Sequence, residues 1–245
     1  MLALIDDPNA ASVMHACSVD TERLSRTVSA ALPIRTDDAK PEQATVHSDP
    51  RFRSIIRRAA SHIRSVEQNA ITGAHVLVEM FTDPAARFLR EQGMTRYDAA
   101  FYVCHGMVAR AAAVASAPDG MTFEVPARPD DETHHTRWQV VLLNDIYTPM
   151  EFVFHLLTQV FSITPDAAAN IVLATHQDGA GLCGTWSRRE ALSLAERVMA
   201  RARDFQHPLR CVTLPDRGGR AQAVFSGWLA WLDRQVWDAF DQRAR

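Results

Sequence analysis

The chain has 245 residues, 47% of them hydrophobic, with 26 basic and 29 acidic side chains and a formal net charge of -3. That length has room for about two small domains, and a thinly spread charge without a basic stripe argues against nucleic acid as a partner. No stretch approaches the roughly 20 apolar residues of a membrane span, and the start lacks the basic-then-apolar pattern of a secretory signal.

Two residue types exclude more. Cys17, Cys104, Cys183 and Cys211 show no CxxC pairing, so reduced thiols in a cytoplasmic protein are expected. Lys40 is the only lysine, is followed by Pro41, and has no glycine-rich loop before it. The chain therefore has no P-loop and is not itself an ATP-driven motor.

In chain order, the first region is helical. Phe52, Ile55, Ile56, Ala59, Ala60, Ile63 and Val66 mark an amphipathic helix, and Thr72 caps another that carries Val76, Leu77 and Met80. The segment Leu4-Ile5-Asp6-Asp7-Pro8 with Cys17-Ser18-Val19-Asp20 recurs as Met80-Phe81-Thr82-Asp83-Pro84 with Gln92-Gly93-Met94-Thr95. That is an internal repeat with a period of about 75 residues. Met1 aligns near Leu77, so the first repeat has no counterpart of the helix from Phe52 to Val66. Either the start is placed too late or an apolar face is left bare. From Met107 to Thr136, alanines, Pro118, Gly120, Pro126, Pro129 and the acidic run Asp130, Asp131, Glu132 read as a flexible linker. His134 and His135 beside that run read as part of a solvated linker rather than a metal site.

Trp138, Val140 and Leu142 alternate with Gln139, Val141 and Leu143, a strand with one face fully buried and the other partly so. Thr148 then reads as an N-cap, Pro149 as the first helical residue, and Glu151 as the partner of Thr148 in a capping box. Phe152, Val153, Leu156, Leu157, Val160 and Phe161 form the apolar stripe of that helix. Thr164-Pro165-Asp166 opens a second helix that runs to about His176, before Gly179 and Gly181. A strand Leu182–Trp186, a helix opened by the Ser187–Glu190 capping box, and a strand Leu209–Leu214 complete an α+β sandwich of order β-α-α-β-α-β with helices on one face of the sheet. In the tail, Phe225, Trp228, Leu229, Leu232, Val236 and Phe240 recur at helical spacing. The expected organisation is thus an all-α repeat domain over 1–106, a linker over 107–136, an α/β sandwich over 137–214 and an amphipathic C-terminal helix over 215–245.

At 136–214 the chain resembles the ClpS adaptor family. The residues that carry the resemblance are Val141-Leu142-Leu143-Asn144-Asp145 with Tyr147-Thr148-Pro149-Met150-Glu151-Phe152-Val153, then Ala174-Thr175-His176, Cys183-Gly184 and His207-Pro208-Leu209-Arg210-Cys211. The first region, above all Ile71 to Val78 and Val103-Cys104-His105-Gly106, resembles the double helical repeat of the ClpA N-domain. The resemblance implies a non-enzymatic adaptor without cofactor or metal. Such an adaptor binds proteins starting with Leu, Phe, Tyr or Trp and hands them to a ClpA-type AAA+ unfoldase and its peptidase.

A terminal α-ammonium carries a charge and three donors, so it needs fixed acceptors, and the turn after the first core strand offers the Asn144 amide oxygen and the Asp145 carboxylate. The resemblance adds His176, through a neutral ring nitrogen or a water. It also implies a pocket for the first side chain lined by Thr148, Met150, Val153, Val172 and Leu209. Two positions depart from the family. Ile146 stands where a second acidic residue is usual, and Arg189 and Leu194 stand where family members carry the Glu and Lys that dock on the unfoldase. These departures motivate an alternative, a regulator that occupies or mimics the unfoldase N-domain and inhibits delivery. A third reading, a hydrolase using Cys183 beside His176, lacks a third catalytic group.

Overall fold

The computed structural model describes residues 1–32, 49–63, 70–107 and 137–216. The predicted linker from residue 108 to 136, the tail from residue 217 onward and the helix end at Val66 lie outside the described residues. The described residues fall into two compact units divided between Val103 and Cys104.

The first unit is all helical. Its elements are α1 (Leu2–Ile5), α2 (Pro8–Ala16), α3 (Thr21–Ala31), α4 (Pro50–Ile63), α5 (Gly73–Met80), a 3-10 turn (Pro84–Ala86), α6 (Arg87–Arg90) and α7 (Arg96–His105), which crosses the division. The sequence repeat is also a repeat of backbone chemistry. The Asp7 carboxylate accepts from Asn9 N and Ala10 N ahead of Pro8, and the Asp83 carboxylate accepts from Ala85 N ahead of Pro84. Ser18 and Gly93 both adopt left-handed φ, 62° and 83°, and the next residues, Val19 and Met94, each donate back five positions, to Met14 O and Leu89 O. That is the Schellman closure of a helix end. The Gln92 amide joins the repeats: its oxygen accepts from Asp20 N at 2.8 Å and its nitrogen donates to Asp20 O at 3.2 Å.

Beneath these caps lies a core that includes Val13, Met14, Leu24, Leu77, Leu89 and Phe101. It holds a buried charge, Glu79, 2% exposed, whose carboxylate accepts from Arg58 Nε at 3.0 Å and Arg96 Nη2 at 3.1 Å, with His62 Nε2 at 3.5 Å. Two guanidinium partners offset the cost of desolvating that carboxylate and tie α4, α5 and α7 together. Thr72 caps α5 as expected, in a capping box whose second member is the His75 ring.

The second unit has the predicted element order: β1 (Trp138–Leu143), α8 (Met150–Phe161), α9 (Pro165–Asp178), β2 (Ala180–Trp186), α10 (Arg188–Asp204) and β3 (Arg210–Pro215). The sheet is antiparallel with order β2-β1-β3, and Leu143 faces Ala180 on one side and Arg210 on the other. Val140, Leu142, Cys183 and Cys211 point toward the helices and share one core with Val153, Leu157, Val172, Ala191 and Val198. The Ser187–Glu190 capping box forms as read. Thr164 caps α9, which ends at Gly179 with φ 80°.

Three expectations are corrected. α8 begins at Met150, with Pro149 extended in the cap position rather than helical, and Thr148 does not pair with Glu151. The Thr148 hydroxyl donates to Asp145 Oδ2 at 2.6 Å, and the Thr148 N–H, which Glu151 would accept in a capping box, donates to Asp145 Oδ1 at 2.7 Å. The second face of β1 is also not half exposed: Val141 and Leu143 are 3% exposed and Gln139 is 7% exposed, as deeply buried as the face under the helices. Gly181, read as a helix breaker, lies inside β2. A Cβ there would sit 2.2 Å from Thr175 Oγ1 and 2.7 Å from Ile171 O, so only glycine lets α9 lie this close to the strand.

Candidate functional site

The site region is built from three chain segments at one end of the sheet. β1 is the middle strand, and Leu143 is opposite both Ala180 and Arg210. The next residue, Asn144, therefore leaves the sheet between Gly179 and Leu209. Its backbone N–H donates to Gly179 O at 2.9 Å, which fastens the loop to the end of α9. His176 lies in the last turn of that helix, one turn after Val172 and on the same stripe. The C-terminal end of a helix carries partial negative charge, a setting that favours cations.

Asp145 organises the loop. Its Oδ1 accepts from Tyr147 N at 2.8 Å and Thr148 N at 2.7 Å, and its Oδ2 accepts from the Thr148 hydroxyl. This is an Asx-type turn, in which a side-chain carboxylate replaces the backbone carbonyl that a tight turn would use. The carboxylate thus places a negative charge at the strand end and sets the course of the chain into α8. Asn144, Asp145, Ile146 and Thr148 are all half-buried.

The five residues expected to line a pocket span a gradient of burial. Val153, Val172 and Leu209 are 6%, 8% and 1% exposed and belong to the core cluster, whereas Met150 is 40% exposed at the start of α8. His176 is exposed as well. Met150 and His176 thus face solvent while Val153, Val172 and Leu209 lie in the core. One contributor escaped the sequence reading: the Phe152 ring packs on the His207 ring with centroids 4.5 Å apart and on Phe205 at 5.3 Å. These contacts hold the approach to Leu209 against α8. The His207-Pro208-Leu209 run was legible, but its pairing with Phe152 depends on a contact across 55 positions that no local pattern encodes.

Arg189 and Leu194 do not share a face of α10. Five residues place them about 140° apart on a helix. Arg189 is exposed, beside a shallow open depression lined by Arg188, Leu192, Ser193 and Glu196, whereas Leu194 is half-buried against the core. The Cys183 thiol is buried, and burial pushes its pKa up to about 12. A cysteine nucleophile needs the opposite, a stabilised thiolate. Among the described residues no group of three His, Cys, Asp or Glu side chains is placed to hold a metal ion, and no helix is long and apolar enough to cross a membrane.

Comparison with known proteins divides the chain in two. Residues 133–212 match the model of the ATP-dependent Clp protease adaptor protein ClpS, and residues 1–92 match that of the Clp repeat (R) N-terminal domain. Both are adaptor or regulatory families rather than catalytic ones. The ATP-dependent Clp protease adapter protein ClpS of Variovorax paradoxus is 41% identical over 97 residues, 40% of this chain and 82% of that protein. The "ClpA homolog protein" of Fuscovulum blasticum is 43% identical over 112 residues, 44% of this chain, yet the chain spans only 14% of that relative's length. A solved structure of Agrobacterium tumefaciens ClpS2 bound to L-phenylalaninamide aligns at 29% identity over 34% of this chain and all of that one, with a TM-score of 0.33. With four-fifths of an adaptor's length matched at that identity, behind a segment of the Clp repeat type, the chain belongs to the ClpS family of ATP-dependent Clp protease adaptor proteins.

Proposed function

We propose that the protein is a non-enzymatic, cytoplasmic adaptor that reads the free amino end of proteins starting with Leu, Phe, Tyr or Trp and delivers them to a ClpA-type unfoldase and its peptidase. The observation that carries the reading is the bond from Asn144 N to Gly179 O. It ties the chain at Asn144 to the end of the helix that bears His176, which supports the reading.

In this reading the ammonium is met by Asn144, the Asp145 charge and His176, and the first side chain enters past Thr148 and Met150. Burying one Leu or Phe side chain contributes roughly 1.5–3 kcal/mol, and each charge-assisted hydrogen bond roughly the same. After association costs, a dissociation constant of about micromolar order remains. The test is fluorescence anisotropy with a peptide starting with Phe and the same peptide acetylated. Acetylation removes the charge and two donors, so binding weakens by at least about tenfold. Equal affinity for both peptides would refute amine recognition.

The exposure of Arg189 and the inward packing of Leu194 favour a second reading, a regulator that occupies or mimics the unfoldase N-domain and inhibits delivery. Degradation of a Phe-initiated substrate by a ClpA-type unfoldase separates the two. Acceleration on adding the protein supports delivery, and inhibition supports blockade.

A further inference from the structure

Arg210 carries a charge that the fold leaves without a partner. It opens β3 opposite Leu143, so its side chain lies on the sheet face away from the helices, in one row with Leu143 and Ala180. Both neighbours are apolar and buried, and Arg210 itself is 8% exposed. A guanidinium stays charged at neutral pH and presents five N–H donors in a rigid fork. Here Nη1 is buried with no hydrogen-bond partner, and no ion pair joins Arg210 to any of the described residues. Burial displaces its titration downward. The titratable side chain beside it, His105, also belongs to the second unit and adds no compensating charge. His105 is buried, its Nε2 donates to Pro208 O at 2.7 Å, and burial first and the Arg210 charge second push its pKa down to about 3. The ring is therefore neutral. In the first unit, by contrast, Arg58 and Arg96 both meet the Glu79 carboxylate. A buried charge left without such a counterion is strongly destabilising.

We propose that Arg210 is a binding site for a small monocarboxylate, whose two oxygens take the N–H groups on the guanidinium edge that includes Nη1. Three features select this class of ligand. The charges match, because the site holds one positive charge and His105 is neutral, so a single negative charge neutralises it. A phosphate carries more than one charge and would replace a positive excess with a negative one. The shapes match, because a carboxylate accepts two parallel bonds from a guanidinium fork. The surroundings match as well: Leu143 and Ala180 offer apolar contact to a short alkyl group, and a residue only 8% exposed admits a small molecule rather than the backbone of another chain. The site adjoins the Asn144–Asp145 turn through Leu143, yet it does not rest on amine recognition by that turn.

Urea unfolding of the full chain at about pH 8 tests this, with tryptophan fluorescence as the signal, since all five tryptophans lie after residue 137 and so report on the second unit. The probe is sodium acetate, exchanged for sodium chloride at constant ionic strength. Two charge-assisted hydrogen bonds give a dissociation constant of about 1 mM. Acetate at about 100 mM then raises the folded-to-unfolded ratio of that unit about 100-fold. Phosphate at the same ionic strength gives less than about a tenth of that rise. Arg210→Met removes the acetate response, and Arg210→Lys, which keeps a charge but loses the fork, weakens it about tenfold. Acetate no better than chloride in the native chain overturns the inference, as does a native-like acetate response in Arg210→Met. A phosphate response equal to that of acetate overturns the monocarboxylate class. A larger response to N-acetylglutamic acid α-amide than to acetate overturns the free ligand in favour of a carboxylate side chain from a protein. Should Arg210→Met fail to fold, Arg210→Lys decides by itself, and an undiminished acetate response there refutes the forked contact.

Discussion

Replacing Asp145 with alanine deletes the acceptor of three loop hydrogen bonds, from Tyr147 N at 2.8 Å, Thr148 N at 2.7 Å and the Thr148 hydroxyl at 2.6 Å. In a half-buried loop each contributes about 1 kcal/mol net, and losses within one loop are not fully additive, so the expected cost is about 2–3 kcal/mol. For a small unit a loss of 1 kcal/mol lowers Tm by about 4–8 °C, which puts the drop for the second unit at about 10–20 °C. Asp145→Asn behaves differently. Its Oδ1 still accepts both backbone N–H groups, so stability falls by only about 1 kcal/mol, while the lost charge weakens binding of a Phe-initiated peptide by at least about tenfold. Circular-dichroism melts measure the first effect and anisotropy titrations at a temperature where both variants are folded measure the second. An Asp145→Ala melt within about 2 °C of the native one would refute the turn-building role. Undiminished peptide affinity of Asp145→Asn would refute the electrostatic one.

Other substitutions probe the scaffold. Glu79→Ala removes the carboxylate partner of Arg58 and Arg96, but these are 37% and 24% exposed and Arg58 keeps its bonds to Ser54 and Thr82, so denaturant unfolding of the first unit shows a loss of about 2–4 kcal/mol, short of a fully buried pair. Gly181→Ala places a methyl against Thr175 Oγ1 and Ile171 O, forces α9 off β2 and costs about 1–3 kcal/mol, with peptide affinity falling because His176 rides on that helix. The Cys183 thiol, pushed up to about 12 by burial, and the Cys211 thiol, raised by burial and by Cys183, stay protonated in the fold, whereas in the unfolded chain they ionise near 9. Their contribution is therefore complete below about pH 9 and declines as pH rises from there toward 12, so denaturant midpoints fall across that range. In the native protein at pH 8 both thiols resist maleimide labelling that goes to completion after denaturation.

Much of this molecule is local, and what is local was readable. Asp7-Pro8, Asp83-Pro84, Thr164-Pro165 and Ser187 with Glu190 are helix starts because a side-chain oxygen within three residues satisfies the first N–H groups. The repeat could be read for the same reason, since Ser18 and Gly93 close their helices by bonds that span five residues. The order of strands and helices in the second unit followed from periodicity, because period 2 and period 3.6 place apolar residues on different faces. The start of α8 was misread when the Glu151 carboxylate of a capping box and the Asp145 carboxylate of the turn competed for one donor, the Thr148 N–H. Local pattern does not rank two acceptors, and the outcome came from where the Asp145 carboxylate lies once the loop is bent.

The sequence alone therefore determined the elements, the family resemblance and the residue types at the strand end. Only the tertiary structure decided that Leu143 is flanked by Ala180 and Arg210, so that Asn144 reaches Gly179 and Leu209 becomes its neighbour. It likewise decided that Phe152 packs on His207. Those relations join residues tens of positions apart, and they are set by strand register and by the close packing of whole faces, which no short window of sequence contains.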